Sequence, residues 1–144
     1  MIGGLALALA FAPGFAAAAD KIDDAIAYRK AMMEGQKWNL AQMAAMVKGQ
    51  VPYDKQAFMR YASWLNELSR MPWEAFPQGS DVGDTKASAA IWQRPGDFEA
   101  KAKALENESA KLVEASRGGD MGNIRFQFGR TAQTCKACHK AFKD

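Results

Sequence analysis

Cys135-Lys136-Ala137-Cys138-His139, ending five residues before the C-terminus, is the stretch from which this chain is read. It holds both cysteines and the only histidine of the sequence. A C-x-x-C-H run is the attachment signature of a c-type haem. The two thiols can form thioethers to the porphyrin vinyl groups, and the adjacent imidazole can bind iron from one face. Two other chemistries use cysteines at this spacing. A structural zinc needs four ligands, and the motif offers three with no second cluster to complete them. A redox dithiol is expected after a strand of a βαβ unit, and no strand pattern precedes Cys135. The placement of both cysteines inside the motif argues against chance.

The motif sits on a helical pattern. Asp120 is a candidate N-cap, followed by Ile124, Phe128, Thr131, Cys135, Cys138 and Phe142 on one stripe. On a helix, Cys135, Cys138 and His139 project from nearly one face. A porphyrin can therefore lie against this helix, with its other face turned toward a neighbouring one. Upstream, Ile26, Met33, Leu40 and Val47 recur every seven residues over a helix from about Lys21 to Lys48. Gly49-Gln50-Val51-Pro52 stops it. A second helix starts after the N-cap Asp54, carries Phe58, Tyr61, Leu65 and Leu68, and ends at Pro72. A third starts near Pro95-Gly96-Asp97, shows Phe98, Ala102, Leu105 and Leu112, and ends at Gly118-Gly119. Four amphipathic helices with mostly short connections predict an all-α, antiparallel four-helix bundle with a covalently attached haem. The long stretch from Met71 to Arg94, with Trp73, Phe76 and Trp92, is expected to pack on the bundle as a crossover. Trp73 is a candidate for core burial or for shielding a haem edge.

Residues 1–19 carry no charge and end in A-x-A-like cleavage positions, Ala17 and Ala19. This reads as a bacterial secretory signal, leaving residues 20–144 as one domain. Pro13-Gly14 interrupts the apolar run and argues against a membrane anchor. Covalent haem attachment in bacteria takes place outside the inner membrane, so signal and motif both point to the periplasm. The formal charge is +3, and two haem propionates bring it near neutral. The lysines are interleaved with acids along the chain, a pattern that does not call for nucleic acid.

Tyr28-Arg29-Lys30-Ala31-Met32-Met33, Val47-Lys48-Gly49-Gln50, Pro52-Tyr53-Asp54, Leu68-Ser69-Arg70-Met71-Pro72-Trp73, Ile91-Trp92 and the C-terminal motif together resemble the class II c-type cytochromes, the cytochrome c prime family. The family is itself a standing example of the four-helix bundle. The resemblance covers essentially all of residues 20–144 and implies one haem c with His139 as proximal ligand. It implies two subtypes. High-spin members have an apolar residue over an open iron face and bind nitric oxide or carbon monoxide. Low-spin members carry a methionine there as sixth ligand and transfer electrons. The corresponding residue here is Met33. The family's basic residue four after the histidine is Lys143 here, in place of a common arginine whose planar fork lysine lacks. Homodimers through the first two helices are also implied.

Three functions follow. With Met33 ligating, the protein is a single-electron carrier serving a periplasmic redox partner. With Met33 only covering the site, it is a five-coordinate binder of nitric oxide or carbon monoxide, where Gln36 is placed to hydrogen-bond a diatomic. A haem enzyme such as a peroxidase is disfavoured, because the chain has no second histidine for distal acid–base chemistry.

Overall fold

The computed structural model describes residues 14–144, with side chains described from Lys21 onward. Most of the expected secretory segment, residues 1–13, lies outside the described residues. Helix α1 spans Gly14–Val47 and α2 spans Lys55–Leu68. A 3-10 turn follows at Pro72–Ala75, then a short α3 at Ala90–Gln93. Helices α4, Pro95–Gly118, and α5, Met121–Phe142, complete the chain. The helix expected from Lys21 begins seven residues earlier, at Gly14. The run Ala16–Ala19 has the highest helix propensity available, so the helix continues through it.

The helix ends follow their local chemistry. Asp54 Oδ1 accepts a hydrogen bond from the Ala57 amide at 2.9 Å, and Asp120 Oδ2 accepts one from the Asn123 amide at 2.7 Å. Both bonds satisfy amides that would otherwise be orphaned at a helix start. Gly119 closes α4 at φ 77°, a left-handed conformation that favours glycine.

Along its length the bundle has two unlike halves. At the end holding the α1–α2 and α4–α5 connections, Met43, Met46, Phe58, Ala62, Leu65, Leu112, Ala115 and Ile124 form a closely packed apolar core. Toward the middle of the bundle, small polar residues join the end of α2 to α4. Asn66 Nδ2 donates to Ser109 Oγ at 2.9 Å, and the Ser69 and Ser109 hydroxyls lie 3.2 Å apart. The other half holds a cavity walled by the middle of α1, from Arg29 to Leu40, early α4 and late α5. Aromatic rings of Trp73, Phe76, Phe98 and Phe142 meet there at centroid distances of 4.9 to 6.5 Å. The chain is thus an all-α antiparallel four-helix bundle, with no strand among the described residues beyond one isolated bridge, Ala87 to Lys143.

The crossover packs on the bundle. Buried Arg29 of α1 donates to Ala75 O at 3.0 Å, Ser80 Oγ at 2.7 Å, Ser80 O at 2.5 Å and Thr85 Oγ1 at 2.8 Å. Its guanidinium carbon also lies 4.4 Å from the centroid of the Phe76 ring. At the far side, the Ser88 amide donates to Phe142 O and the Asp144 amide to Lys86 O, both at 3.0 Å. A segment without regular structure is therefore tied to α1 at one edge and to the end of α5 at the other.

Candidate haem site

The last turns of α5 bring Thr134, Cys135, Cys138, His139 and Phe142 to one wall of a cavity of about 700 Å³. Helix α1 supplies Met33, Gln36 and Leu40 to the same cavity, α4 supplies Phe98 and Leu105, and the crossover supplies Trp73 and Phe76. This volume lies in the range of pockets that bury a large ligand. Both cysteines are free thiols, half-buried at the cavity wall. Burial pushes both thiols above their ordinary range, so at neutral pH they are protonated and poor nucleophiles. Burial, reinforced by the Lys143 charge, holds His139 below the usual histidine value. The neutral imidazole is the form that binds a metal. Among the described residues, no group of three or more His, Cys, Asp or Glu side chains is disposed to hold a metal ion. The donor set and apolar walls fit a haem attached through two thioethers.

The residues singled out in the sequence come together here. Met33 is half-buried on α1 and lines the cavity with the motif. Gln36 is 5% exposed, and its Nε2 donates to Leu68 O at 2.9 Å, so one of its two amide hydrogens is held by α2. Trp73 is half-buried: its ring stacks on Phe76 and meets Phe98 edge-on, and it lines the cavity. Its Nε1 donates to Ser69 O at 2.6 Å. Lys143 is exposed at the C-cap of α5, and its amide donates to His139 O at 3.0 Å.

Two buried charged residues, Arg29 at the cavity and Glu108 between α4 and α5, carry structural roles that no sequence motif marks. Arg29 clamps the crossover, as described above. It shares the α1 register with Gln36 and Met43, alternating with Ile26, Met33 and Leu40 at three- and four-residue steps. A charge at a core register position was the available signal. Glu108 of α4 is 8% exposed and ties α4 to α5. It accepts from Gln127 Nε2 at 2.7 Å and pairs with Lys111 at 2.9 Å and Arg130 at 3.5 Å. The Lys111 and Gln127 hydrogen bonds hold its carboxyl well below the usual carboxylate range, at about 2.

Comparison with known proteins agrees with this geometry. Residues 24–143 match the family model described as Cytochrome C'. The cytochrome c prime of Shewanella frigidimarina superposes with a TM-score of 0.84 at 40% identity, covering 85% of this chain and 96% of that one. The cytochrome c' of Alcaligenes xylosoxydans is 34% identical over 123 residues, 85% of this chain and 95% of the relative. A nitric oxide complex of a variant of the Alcaligenes xylosoxidans protein superposes with a TM-score of 0.80 at 33% identity, covering 85% and 95% of the two chains. A bundle whose last helix carries the attachment motif against an apolar cavity, matched over nearly its whole described length, belongs to the cytochrome c prime family, whose proteins carry covalently bound haem c.

Proposed function

We propose that this protein is a periplasmic single-electron carrier, with haem c held by Cys135 and Cys138 and its iron bound by His139 and Met33. The carrying observation is that Met33 and His139, from helices α1 and α5, line one cavity. Met33 is the only methionine in that lining. Bound here, haem c supplies an iron centre that changes by one electron, with a potential raised by thioether ligation. The chain supplies the rest. Its cysteines fix position, His139 is kept neutral, and Trp73, Phe76, Phe98 and Leu105 keep the surroundings apolar.

A second reading is favoured by the nitric oxide complex among similar structures. In it Met33 is a lid over an open site, and the second amide hydrogen of Gln36 serves a bound diatomic. The optical spectrum of the purified ferrous protein, with and without carbon monoxide, separates the two. Under the first reading the parent is low-spin and indifferent to carbon monoxide, and Met33→Ala becomes high-spin and binds it. A spectrum unchanged by that substitution rejects Met33 as ligand.

The family resemblance also supports a homodimer through α1 and α2, which expose Trp38 at 65% and Trp64 at 46%. Sedimentation of the parent as a dimer, and of Trp38→Arg/Trp64→Arg as a monomer, is the expected outcome. Among the described residues no helix is long and apolar enough to cross a membrane.

A further inference from the structure

Helix α5 differs from the other long helices in its charge. Arg125, Arg130, Lys136 and Lys140 lie within Met121–Phe142 and Lys143 caps it, while the helix contains no aspartate or glutamate. The remainder of the chain has 14 basic and 16 acidic residues and is slightly acidic. Elsewhere bases have acids three positions away: Lys37 with Glu34, Lys103 with Glu106, Lys111 with Glu108, Arg117 with Glu114. Among the described residues, Arg125, Lys136, Lys140 and Lys143 make no ion pair, although all four are exposed.

These four share one outer row of the helix, together with Gly129. Lys136 and Lys140, four apart, repel each other and weaken the helix slightly. Basic residues near a helix C-terminus complement its dipole, which accounts for Lys140 and Lys143 but not for Arg125 in the first turns. Lys86 joins the row's end, because its carbonyl accepts the Asp144 amide at 3.0 Å. From Arg125 to Lys143 the row is about 27 Å long, the span of a protein interface of roughly 800 Å² per partner. Lys136 lies between the two cysteines and Lys140 follows His139, so the row flanks the attachment motif.

We propose that this row, Arg125, Lys136, Lys140 and Lys143 with Lys86, is the docking surface for an acidic electron-transfer protein. The proposal rests on the electron-carrier reading and names the chemistry of its partner. Unpaired charge beside a redox centre steers encounter and raises the association rate without requiring tight binding. An anionic membrane would be met by a basic helix with a broad apolar face. The α5 surface exposes one large apolar side chain, Phe126.

The test uses the holoprotein and a reduced acidic [2Fe–2S] ferredoxin as probe, with second-order reduction rates from stopped flow. The parent is expected to slow about tenfold or more between low and high salt. Lys136→Glu/Lys140→Glu should lose about tenfold at low salt, and Lys136→Gln/Lys140→Gln an intermediate amount. Lys48→Glu/Lys55→Glu, the same charge change at the other end of the bundle, should lose far less. Equal slowing by the two glutamate pairs, or no salt dependence, overturns the proposal. So does loss of binding to phosphatidylglycerol vesicles in the α5 variants with the ferredoxin rate unchanged. The spin state and carbon monoxide response are read on the same samples, so failure of the carrier reading shows there and failure of docking shows in the rates.

Discussion

At Arg29 one guanidinium satisfies four acceptors of the crossover while covering the Phe76 ring. Arg29→Ala strands the Ala75 and Ser80 carbonyls in a buried setting. It is expected to destabilise the protein by about 2–4 kcal/mol. Arg29→Lys should recover only part, because an ammonium lacks the planar fork. Thermal unfolding followed by circular dichroism measures both, and an Arg29→Ala loss below about 0.5 kcal/mol would refute the clamp. Glu108 makes a pH-dependent contribution. Its folded-state pKa, about 2, lies below the ordinary 4.5. Its contribution is therefore present above pH 4.5 and is lost as the pH falls toward 2. Glu108→Gln should flatten the melting temperature across that window. The two residues differ from the motif in legibility. Cys135, Cys138 and His139 announce themselves by type and spacing. Arg29 acts through partners 46 to 56 positions away, and Glu108, besides its neighbour Lys111, through Gln127 and Arg130, 19 and 22 positions away, which no local pattern displays.

At the scale of elements, helix starts were legible because their cause is local. Asp54 and Asp120 each precede the helix they cap and bond an amide three residues on. Asp120→Ala is expected to cost about 1 kcal/mol, and Asp120→Asn much less. Denaturant titration of the two variants distinguishes a capping effect from loss of charge. The 3-10 turn and α3 were not legible. Each spans four residues, too few for a hydrophobic period to register. Long-range bonds hold them instead, such as Trp92 Nε1 donating to Phe76 O at 3.1 Å. The forward extension of α1 has the opposite origin, an alanine run whose local propensity overrides the expected boundary.

For the whole molecule, the split between a packed end and a cavity end follows from chain order. A motif at the end of the last helix must lie at the same end of an antiparallel bundle as the start of the first. The stripe Ile26–Met33–Leu40–Val47 has one period, yet Met33 lines the cavity, Leu40 touches both cavity and core, and Val47 packs on the core. A sequence period shows which side of a helix turns inward, not what fills the interior there. Leu112→Ala in the packed end is expected to cost about 2–5 kcal/mol with or without attached haem. In the haem-free chain, amide hydrogen exchange should be slow around Phe58, Leu112 and Ile124 and faster around Met33, Phe98 and Cys135. Uniform protection across both ends would refute the division.

The crossover also fixes a distance. Arg29 stands one turn before Met33, and Phe142 to Asp144 lie three to five residues after His139. The strap from Ala75 to Ser88 is fastened to both, by the guanidinium at one edge and by backbone bonds at the other. It therefore acts as a gauge between α1 and α5, holding the two opposed walls of the cavity at a set spacing. Inserting one glycine after Thr85, between the last bond to α1 and the first to the end of α5, lengthens the gauge. Such an insertion should loosen the separation of the walls and broaden the optical bands of the haem protein, while leaving the packed end of the bundle unchanged.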